Sequence, residues 1–523
     1  MKGLKFLSVF FALLAVSGAV SAQVTISADF DSGNIGSITL CQTHYVNEGV
    51  LDSLPVHTIE VVTRTDPKNP VDIQTPPSGR WFHFRMDGVA GSVVFLKIVG
   101  SDVVRPFYSY DGVNYSRFDK DDRADGYTVR KYFERNRVYV SYFAPYTHAD
   151  CIADIERWSD SPWVVRDSIG VSGEGRTVFM LTVTDSFVPY ENKRKVWIHS
   201  RVHTSEAPAS WNLRGLVDAL VDTTAIASQM RRNAIFYIVP ETNPDGVFGG
   251  YSRSTPTGVN MEINWNRPES QTEPEVAILK RTIERLTADR PMDVALNLHS
   301  QVAPHVTYWI HTAQSTSDSF FRREMLLSSL TMNHTKFYAS GEEGFSKLSS
   351  RFAEGWYWNR FGEKTLAMTF ETPYTYYNRN ENGEWVTTEN LSGLGASLLT
   401  AVSDLLDIGG CERMVIDSEM ATKSRNGWNT VSDSAVFYGK SYMVAKRKGA
   451  SVHFVRDDIP KGVYDIYKWV VGVDAGNCSD ASNCWMLVKE SVRHSGGRFS
   501  WNYKAPFAGD RLDALLFVRR RPQ

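Results

Sequence analysis

The sequence predicts an α/β domain, with a mostly parallel or mixed sheet and helices on both faces, flanked by two β-sandwich domains. Three observations lead to this prediction. Short alternating strands separated by turns fill residues 24–160, strands alternate with helices over residues 176–408, and strands return after residue 410. The chain has 523 residues, which at roughly 150 residues per domain suits about three folded units.

The expected organisation is a leader over residues 1–22, an N-terminal β-sandwich over 23–165, the α/β domain over 166–409 and a C-terminal β-sandwich over 410–523. Lys2 and Lys5 precede the apolar run Phe6–Val16, and small residues precede Gln23, which is the pattern of a secretory signal peptide. The mature protein is therefore expected to be secreted or periplasmic. No later run approaches ~20 apolar residues, so no membrane span is expected.

Composition excludes several classes of protein. With 42% hydrophobic and 22% charged residues, the chain can bury a large interior, which argues against a disordered or fibrous protein. A net charge of −2 gives no overall field that attracts nucleic acid or an anionic membrane. Five cysteines are too few for a disulfide framework, although Cys478 and Cys484 flank a short polar loop and are predicted to form one local disulfide.

Hydrophobic periodicity places the elements. In the N-terminal segment, strands are predicted at Thr58–Val62, Trp81–Met86, Ser92–Val99 and Val138–Phe143. In the α/β domain, strands are predicted at Val178–Val183, Val196–Val202, Ala234–Val239, Asp293–Leu298 and Leu366–Phe370, with helices beginning near Pro208 and Thr272 and a closing helix around Leu394–Leu406. In the last segment, strands are predicted at Ser441–Ala445, Val463–Val470, Cys484–Val488 and Leu515–Val518.

A histidine and a glutamate, His203 and Glu206, lie just after a predicted strand and just before a helix, where open α/β sheets place their ligands. The H-x-x-E spacing alone is a weak signal, because His57 and Glu60 repeat it. That second pair lies within a predicted strand, where an odd offset sends the two side chains to opposite faces. We therefore interpret the His57 pair as structural and the His203 pair as a candidate metal site.

Two further polar residues follow strands of the same predicted sheet. His299 ends the run Val294–Leu298, and Glu371 follows Leu366–Phe370. Two histidines and one carboxylate leave a fourth position open for water, which is the pattern of a catalytic zinc site, with one Zn²⁺ per chain. Glu371 is then placed to take the proton of that water and to pass it to a leaving amine.

These residues together resemble the zinc metallocarboxypeptidase family, and most closely its cytosolic-carboxypeptidase-like branch. Asn243–Val247 is similar to the N-P-D-G segment of that family, and Gly250–Arg253 is similar to the segment that carries its oxyanion-stabilising Arg. The resemblance implies His203, Glu206 and His299 as zinc ligands, Glu371 as catalytic base and Arg253 as oxyanion partner. It also implies a β-sandwich upstream, since Trp81–Arg85 and Phe143–Thr147 resemble that domain of the branch.

One segment departs from the family pattern. Family members read G-x-D-L-N-R-x-W, and their Asn and Arg hold the terminal carboxylate of the substrate, whereas this chain has Glu262 and Ile263 at those two positions. A free α-carboxylate is then expected to bind weakly. We expect Glu262, Ile263, Arg267 and Tyr374 to contact substrate, with Arg267 as a replacement for the missing Arg and Tyr374 closing over the site.

The combined pattern predicts an exported zinc-dependent peptidase that acts on a peptide or cell-wall peptide, including amidated, branched or amine-bearing ones. Two alternatives remain open: a zinc amidase or deacylase acting on peptidoglycan peptides or acylated amino acids, and a non-catalytic protein that binds carbohydrate or peptide. Trp469 and Trp485 of the last domain are candidates for stacking on a glycan, although core packing is the better interpretation. His199 is likewise interpreted as a packed core histidine.

Overall fold

The computed structural model describes residues 24–46, 54–70, 76–191, 193–408, 413–418, 421–423, 427–432, 441–459, 461–470 and 485–519. The predicted signal peptide, Cys411 and the predicted Cys478–Cys484 disulfide lie outside these residues. Of the other cysteines, Cys41 is exposed, Cys151 is buried and both are free thiols.

The described residues of the N-terminal region contain nine strands and one α-helix. Their bounds are β1 Thr25–Ser27, β2 Ser37–Val46, β3 Leu54–Val62, β4 His83–Asp87, β5 Ser92–Val99, β6 Phe107–Ser109, β7 Ser116–Arg117, β8 Val129–Phe133, β9 Arg137–Ser141 and α1 His148–Ser159. One sheet has the order β1-β4-β9-β6-β7 and is antiparallel. The other has the order β2-β3-β5-β8, in which β3 and β5 are parallel.

Alternation of apolar residues explains these strands. In β5, Val94, Leu96 and Ile98 are buried, while the residues between them are partly exposed. They join one apolar cluster with residues of the other sheet, such as Met86 and Val140. The four strands predicted in this region are confirmed. Helix α1, which the sequence analysis did not predict, is capped by the Thr147 hydroxyl.

The central region contains eight strands and seven helices. Their bounds are β10 Val164–Val171, β11 Thr177–Val183, β12 Arg194–Ser200, α2 Ala207–Val221, α3 Ala225–Asn233, β13 Ala234–Val239, α4 Pro244–Phe248, α5 Pro274–Leu286, β14 Val294–Gln301, β15 Thr307–His311, α6 Asp318–His334, β16 Gly344–Ser346, α7 Ala353–Phe361, β17 Leu366–Pro373 and α8 Thr388–Leu406. The strand order is β10-β11-β13-β12-β14-β17-β15-β16. Strands β13, β12, β14 and β17 are mutually parallel, and antiparallel pairings flank them, so the sheet is mixed.

Helices cover both faces of this sheet, as the sequence predicts. Val196 and Ile198 of β12 join the apolar cluster that contains Leu213 and Leu216 of α2. Trp197, between them, joins a second cluster on the opposite face with Leu279 of α5 and with residues of α7. Near-continuous apolar strands of this kind are typical of a sheet buried on both sides.

Two predicted site positions come together because of the parallel register. Within β14 and β17, Asn297 pairs with Thr369 and His299 pairs with Glu371. These residues have the same parity as Ala295 and Ala367, which belong to the α5 and α7 cluster. His299 and Glu371 therefore lie side by side at the carboxyl ends of neighbouring strands, on one face of the sheet.

The C-terminal region is also rich in strands. Its described strands are β18 Arg413–Asp417, β19 Thr422–Lys423, β20 Trp428–Val431, β21 Tyr442–Ala445, β22 Ser451–Ile459, β23 Gly462–Trp469, β24 Trp485–His494, β25 Gly497–Lys504, β26 Arg511–Leu512 and β27 Ala514–Arg519. They form sheets of order β18-β27-β23-β24, β19-β22-β25 and β20-β21-β26. Trp469 is 2% exposed and contacts Trp485 edge to face, which agrees with core packing.

Among the helices of the described residues, none combines the length and the apolar composition that a membrane crossing requires.

Helices α2 and α8 cross closely at Gly215 of α2 and Gly395 of α8, and a substitution can test this contact. A Cβ on Gly395 would lie 1.8 Å from the Asn212 carbonyl oxygen, whereas a Cβ on Gly393 of the same helix has no atom within 4 Å. We expect Gly395→Ala to lower the melting temperature, since overpacking costs about 1–3 kcal/mol. Gly393→Ala, the matched control, should leave it unchanged or raise it slightly. Equal melting temperatures for both variants in a thermal scan would contradict this packing.

Candidate active site

The site begins with the turn between β12 and α2. Arg201 has a left-handed backbone, with φ of 58°, and its buried guanidinium donates to the Thr204 carbonyl, to the Tyr146 carbonyl and to the Ser210 hydroxyl. These bonds hold the turn in a shape that a regular helix or strand does not offer. His203 and Glu206 consequently face the same point, in contrast to His57 and Glu60 of β3.

Three predicted ligand residues converge at this point. His203 Nδ1 lies 2.8 Å from Glu206 Oε1, His299 Nδ1 lies 2.8 Å from Glu206 Oε2, and the two Nδ1 atoms are 3.1 Å apart. The Ser300 backbone N–H also donates to Glu206 Oε2, at 3.1 Å. All three side chains are buried. The structure therefore brings together the set that the sequence analysis named as metal ligands.

The far nitrogen of each imidazole faces an acceptor. His203 Nε2 lies 3.1 Å from the Asn260 side-chain oxygen, and this oxygen also accepts the Glu262 backbone N–H at 3.0 Å. His299 Nε2 lies 3.0 Å from Glu262 Oε2, an ion-pair contact whose angle falls outside hydrogen-bond geometry. Acceptors at Nε2 favour the tautomers protonated there, which leaves both Nδ1 lone pairs directed at the Glu206 carboxylate.

Such an arrangement fits a divalent cation. Two nitrogen lone pairs and a carboxylate within about 3 Å repel one another unless a positive charge lies between them, and N,N,O sets are ligands that zinc accepts. Burial alone lowers the pKa of His299, but Glu262 and Glu206 outweigh it and hold the pKa well above its usual range. The buried site thus has an excess of negative charge, which a metal ion held by these residues would neutralise in place of a proton.

Glu262 belongs to this cluster rather than to an open surface. Its ligand atoms lie with those of His203 and His299 within 4.8 Å of one another, and it is buried. The Asn297 side-chain N–H₂ donates to its carboxylate at 3.2 Å and 3.3 Å. The sequence analysis expected Glu262 to contact substrate, but the structure turns its carboxylate toward a candidate metal ligand.

Glu371 lies beside the ligands without belonging to them. It keeps some solvent exposure, while its Oε2 is buried with no hydrogen-bond partner among the described residues. Its Oε1 accepts the Trp309 indole N–H at 3.4 Å. Burial raises the pKa of Glu371 to about 7, a value suited to a group that must take and return a proton near neutral pH.

Arg253 approaches the ligand cluster at Glu206. Its guanidinium Nη1 lies 3.9 Å from Glu206 Oε1, and the side chain is 41% exposed. A partly exposed cation beside the ligand cluster can contact a polarised carbonyl oxygen of a bound substrate. The sequence analysis expected Arg253 to be the oxyanion partner, and this role stays a prediction.

The other three residues that were expected to contact substrate, Ile263, Arg267 and Tyr374, lie in different surroundings. Ile263 is partly exposed next to Glu262. Arg267 lines a separate cavity of about 560 Å³ with Lys280, Arg281 and Glu284, and none of the four cluster residues His203, Glu206, His299 and Glu371 lines that cavity. Tyr374 is buried, and its hydroxyl reaches the Ser205 carbonyl at 3.5 Å.

Several aromatic and polar residues have structural positions. Tyr357 is buried and packed edge to face against Trp356. His199 is buried, accepts the Trp197 indole N–H at 3.0 Å, and burial lowers its pKa to about 3, so it is a packed neutral histidine. The sequence analysis missed Asn260 and Asn297, although Asn260 fills the Asp position of the family's G-x-D-L-N-R-x-W segment.

Models of known protein families match two stretches of this chain. Residues 158–375 match the zinc carboxypeptidase family, and residues 26–143 match the N-terminal domain of the cytosolic carboxypeptidases. The chain contains a zinc carboxypeptidase domain, preceded by a domain of the cytosolic carboxypeptidase N-terminal type. The predicted family is confirmed, and with it the class of zinc-dependent hydrolase.

The individual relatives align with different fractions of this chain. An uncharacterized protein of Zymomonas mobilis is 26% identical over 349 residues, which span 63% of this chain and 88% of that protein. Cytosolic carboxypeptidase 1 of Xenopus laevis is 30% identical over 165 residues, which span 29% of this chain and 13% of that protein. A metallo-carboxypeptidase from Burkholderia cenocepacia aligns with a TM-score of 0.61 at 22% identity, over 73% of this chain and 99% of that one. This last similarity establishes a shared fold.

The contact between Glu262 and His299 can be tested by metal binding. We expect Glu262→Gln to weaken Zn²⁺ affinity by about 10- to 100-fold, because the neutral amide no longer stabilises the N–H on the far side of a ligand imidazole. Competition against a chromophoric chelator measures this affinity. Glu269→Gln, at an exposed glutamate outside the cluster, serves as the control. Unchanged affinity in Glu262→Gln would show that the carboxylate does not support the ligand.

Proposed function

We propose that the protein hydrolyses peptide bonds as a zinc peptidase, with His203, Glu206 and His299 as ligands. The observation that carries this proposal is the convergence of two Nδ1 atoms and one carboxylate within 2.8–3.1 Å, next to an acid with an unpartnered oxygen. The presence of a zinc carboxypeptidase domain supports it. Both features point to hydrolysis of an amide bond rather than to binding alone.

Each side chain of the site then has a role in hydrolysis. Zinc bound by the three ligands supplies a Lewis acid that polarises a carbonyl and lowers the pKa of a water molecule. Glu371 takes a proton from the attacking water and returns it to the leaving amine, which its raised pKa permits near neutral pH. Arg253 donates to the carbonyl oxygen as negative charge develops on it. Asn260 and Glu262 hold the two imidazoles in one orientation.

The assignment of the base is tested by Glu371→Gln. The amide keeps the shape of the side chain but cannot accept the proton, so we expect zinc content to stay intact while turnover falls by at least about 10²-fold. Metal content by atomic spectroscopy and peptide hydrolysis measure the two quantities. Glu363→Gln, at an exposed glutamate, is the control and should keep full activity. Near-normal turnover in Glu371→Gln would remove it from this role.

We also propose that the protein lacks the family's clamp for a terminal carboxylate. Ile263 stands at the position of the clamp Arg, Glu262 is already engaged by His299 and Asn297, and Arg267 lines another cavity. The site is then expected to accept amidated, branched or cell-wall peptides. Because Glu262 already contacts His299 and Asn297, it is not available to bind an amine-bearing residue of the substrate. These contacts therefore favour a missing clamp over a new pocket for an amine.

Matched peptides with free and amidated C-termini test the missing clamp. Without a guanidinium at position 263, the free acid gains no ion pair, so we expect kcat/KM for the two forms to agree within about fivefold. Hydrolysis of each peptide by the purified protein, with zinc-depleted protein as the control, gives this ratio. A strong preference for the free acid would mean that another cation binds the carboxylate.

A second candidate function uses the same site. A zinc amidase or deacylase acting on peptidoglycan peptides or acylated amino acids needs the same base and oxyanion partner but no carboxylate clamp, and the replacement by Ile263 favours it to that extent. Analysis of the products formed from muropeptides distinguishes such an amidase or deacylase from a peptidase that acts on ordinary peptides. A glycan contact of the C-terminal region stays a prediction.

For the whole chain, we propose export after removal of residues 1–22, to the periplasm or the medium. We also propose domains over residues 23–165, 166–409 and 410–523, with the outer two as β-sandwiches. The leader pattern at Lys2, Lys5 and Phe6–Val16 supports export. The strand-rich regions on either side of the eight-stranded sheet support the division.

A further inference from the structure

The segment that carries Arg253 lies between the metal-ligand turn and the N-terminal region. We refer to residues 248–258 as the Arg253 loop. On one side, the Ser205 backbone N–H donates to the Ser252 carbonyl at 3.0 Å, and the Thr204 hydroxyl donates to the Tyr251 carbonyl at 2.5 Å. The loop is therefore attached directly to the turn that holds His203 and Glu206.

On its other side, the Arg253 loop is bonded to the N-terminal region. The Ser32 backbone N–H donates to the Phe248 carbonyl at 2.9 Å, and the Asn34 side chain donates to the Gly250 carbonyl at 2.6 Å. The approach is too close for a side chain at residue 250, because a Cβ there would lie 2.4 Å from the Gly33 carbonyl oxygen. Gly250 also has a φ of 65°, which glycine adopts without strain.

One carboxylate of the N-terminal region binds the loop at Arg253 itself. Asp66 Oδ1 accepts the Ser252 backbone N–H at 2.8 Å, and Asp66 Oδ2 accepts those of Arg253 at 2.7 Å and Ser254 at 3.0 Å. Asp66 is 5% exposed. Three consecutive N–H groups pointing at one buried carboxylate form an anion-binding concavity, in which the anion belongs to the protein. Without the Asp66 carboxylate, these three backbone N–H groups would have no hydrogen-bond acceptor, and the loop would rearrange to find one.

We propose that Asp66 is a positioning residue for Arg253, so that the N-terminal region forms part of the active site. The inference rests on the proposed function, because it assumes that Arg253 contacts the carbonyl oxygen of the substrate. A guanidinium acts on that oxygen at hydrogen-bond distance, and a displacement of about 1 Å can cost on the order of 100-fold in rate. The carboxylate fixes the backbone from which this side chain projects.

The experiment uses the full-length protein and the Asp66→Asn variant. The amide keeps the size of the side chain but replaces one acceptor oxygen with a donor that faces backbone N–H groups. We expect faster hydrogen exchange over residues 249–255, unchanged exchange over 294–300, and a fall in kcat of about 10- to 100-fold with KM within about threefold. The substrate is whichever peptide of the acid and amide series the unaltered protein hydrolyses fastest.

A double-mutant cycle decides whether Asp66 acts through Arg253. In an Arg253→Ala background, Asp66→Asn should lower kcat by less than about threefold further, since the group that it positions is gone. Asp66→Glu should recover part of the activity. Asp87→Asn is the matched control, because Asp87 of β4 pairs with Arg85 and Arg137 and makes no contact with the Arg253 loop among the hydrogen bonds of the described residues. It should keep full activity.

The outcomes separate this inference from the proposed function. Unchanged exchange over 249–255, unchanged kcat in Asp66→Asn, or effects of the two substitutions that multiply would each overturn the inference. If the unaltered protein shows no zinc-dependent hydrolysis, the proposed function fails, while the exchange data still decide whether Asp66 holds the loop. If Asp66→Asn does not fold, Asn34→Ala, which removes the bond to Gly250, replaces it in the same cycle and should show a smaller loss that again vanishes without Arg253.

Discussion

Two histidine lone pairs and one carboxylate, held within about 3 Å in a buried space, are the constraint on which the rest of the site depends. Such groups do not stay together without compensation. Asn260 and Glu262 compensate by fixing the Nε2 ends of the rings, and a divalent cation bound at the Nδ1 ends would compensate there. The sheet fixes the spacing between this ligand set and Glu371, because His299 and Glu371 are paired in register on neighbouring strands.

The position of Glu262 bears on the proposed loss of the carboxylate clamp. The Glu262 carboxylate faces the imidazole of His299, a candidate metal ligand, and adds negative charge behind the candidate metal site. A carboxylate at that place strengthens the electron donation of His299 and lowers the net charge of the bound ion with its ligands. Under the proposed function, metal binding and the loss of the clamp are consequently linked through this one side chain.

The strand-rich N-terminal region and the α/β region are joined at the site rather than only beside it. Apolar residues of both regions form one continuous cluster, and Asp66, Asn34 and Ser32 bond to the loop that carries Arg253. A central region cut free of the N-terminal one would expose apolar surface and leave buried backbone N–H groups without partners. The shared geometry explains why the two matched segments occur in one chain.

Much of the fold could be predicted from the sequence because apolar periodicity is a local property. Strands β11, β12, β13, β14 and β17 and helices α2 and α5 follow from it, whereas β10, β15 and β16 of the same sheet were not predicted. Helices α6 and α7 were missed for physical reasons. Polar residues such as Glu324 and Ser328 lie on the buried face of α6 and interrupt its apolar pattern, and α7 contains several aromatic residues and a glycine, which are poor helix formers in isolation. Tertiary packing determines both.

The same division applies to the site. The sequence by itself determined that His203, Glu206, His299 and Glu371 follow strands, and parallel strands end at one edge, so these four could be named in advance. The tertiary structure alone decided which way Glu262 points, that Arg267 faces a different cavity, and that Asp66 reaches Arg253 across 187 residues. Side-chain direction in a loop and contacts between distant segments depend on how the whole chain packs, and no local pattern records them.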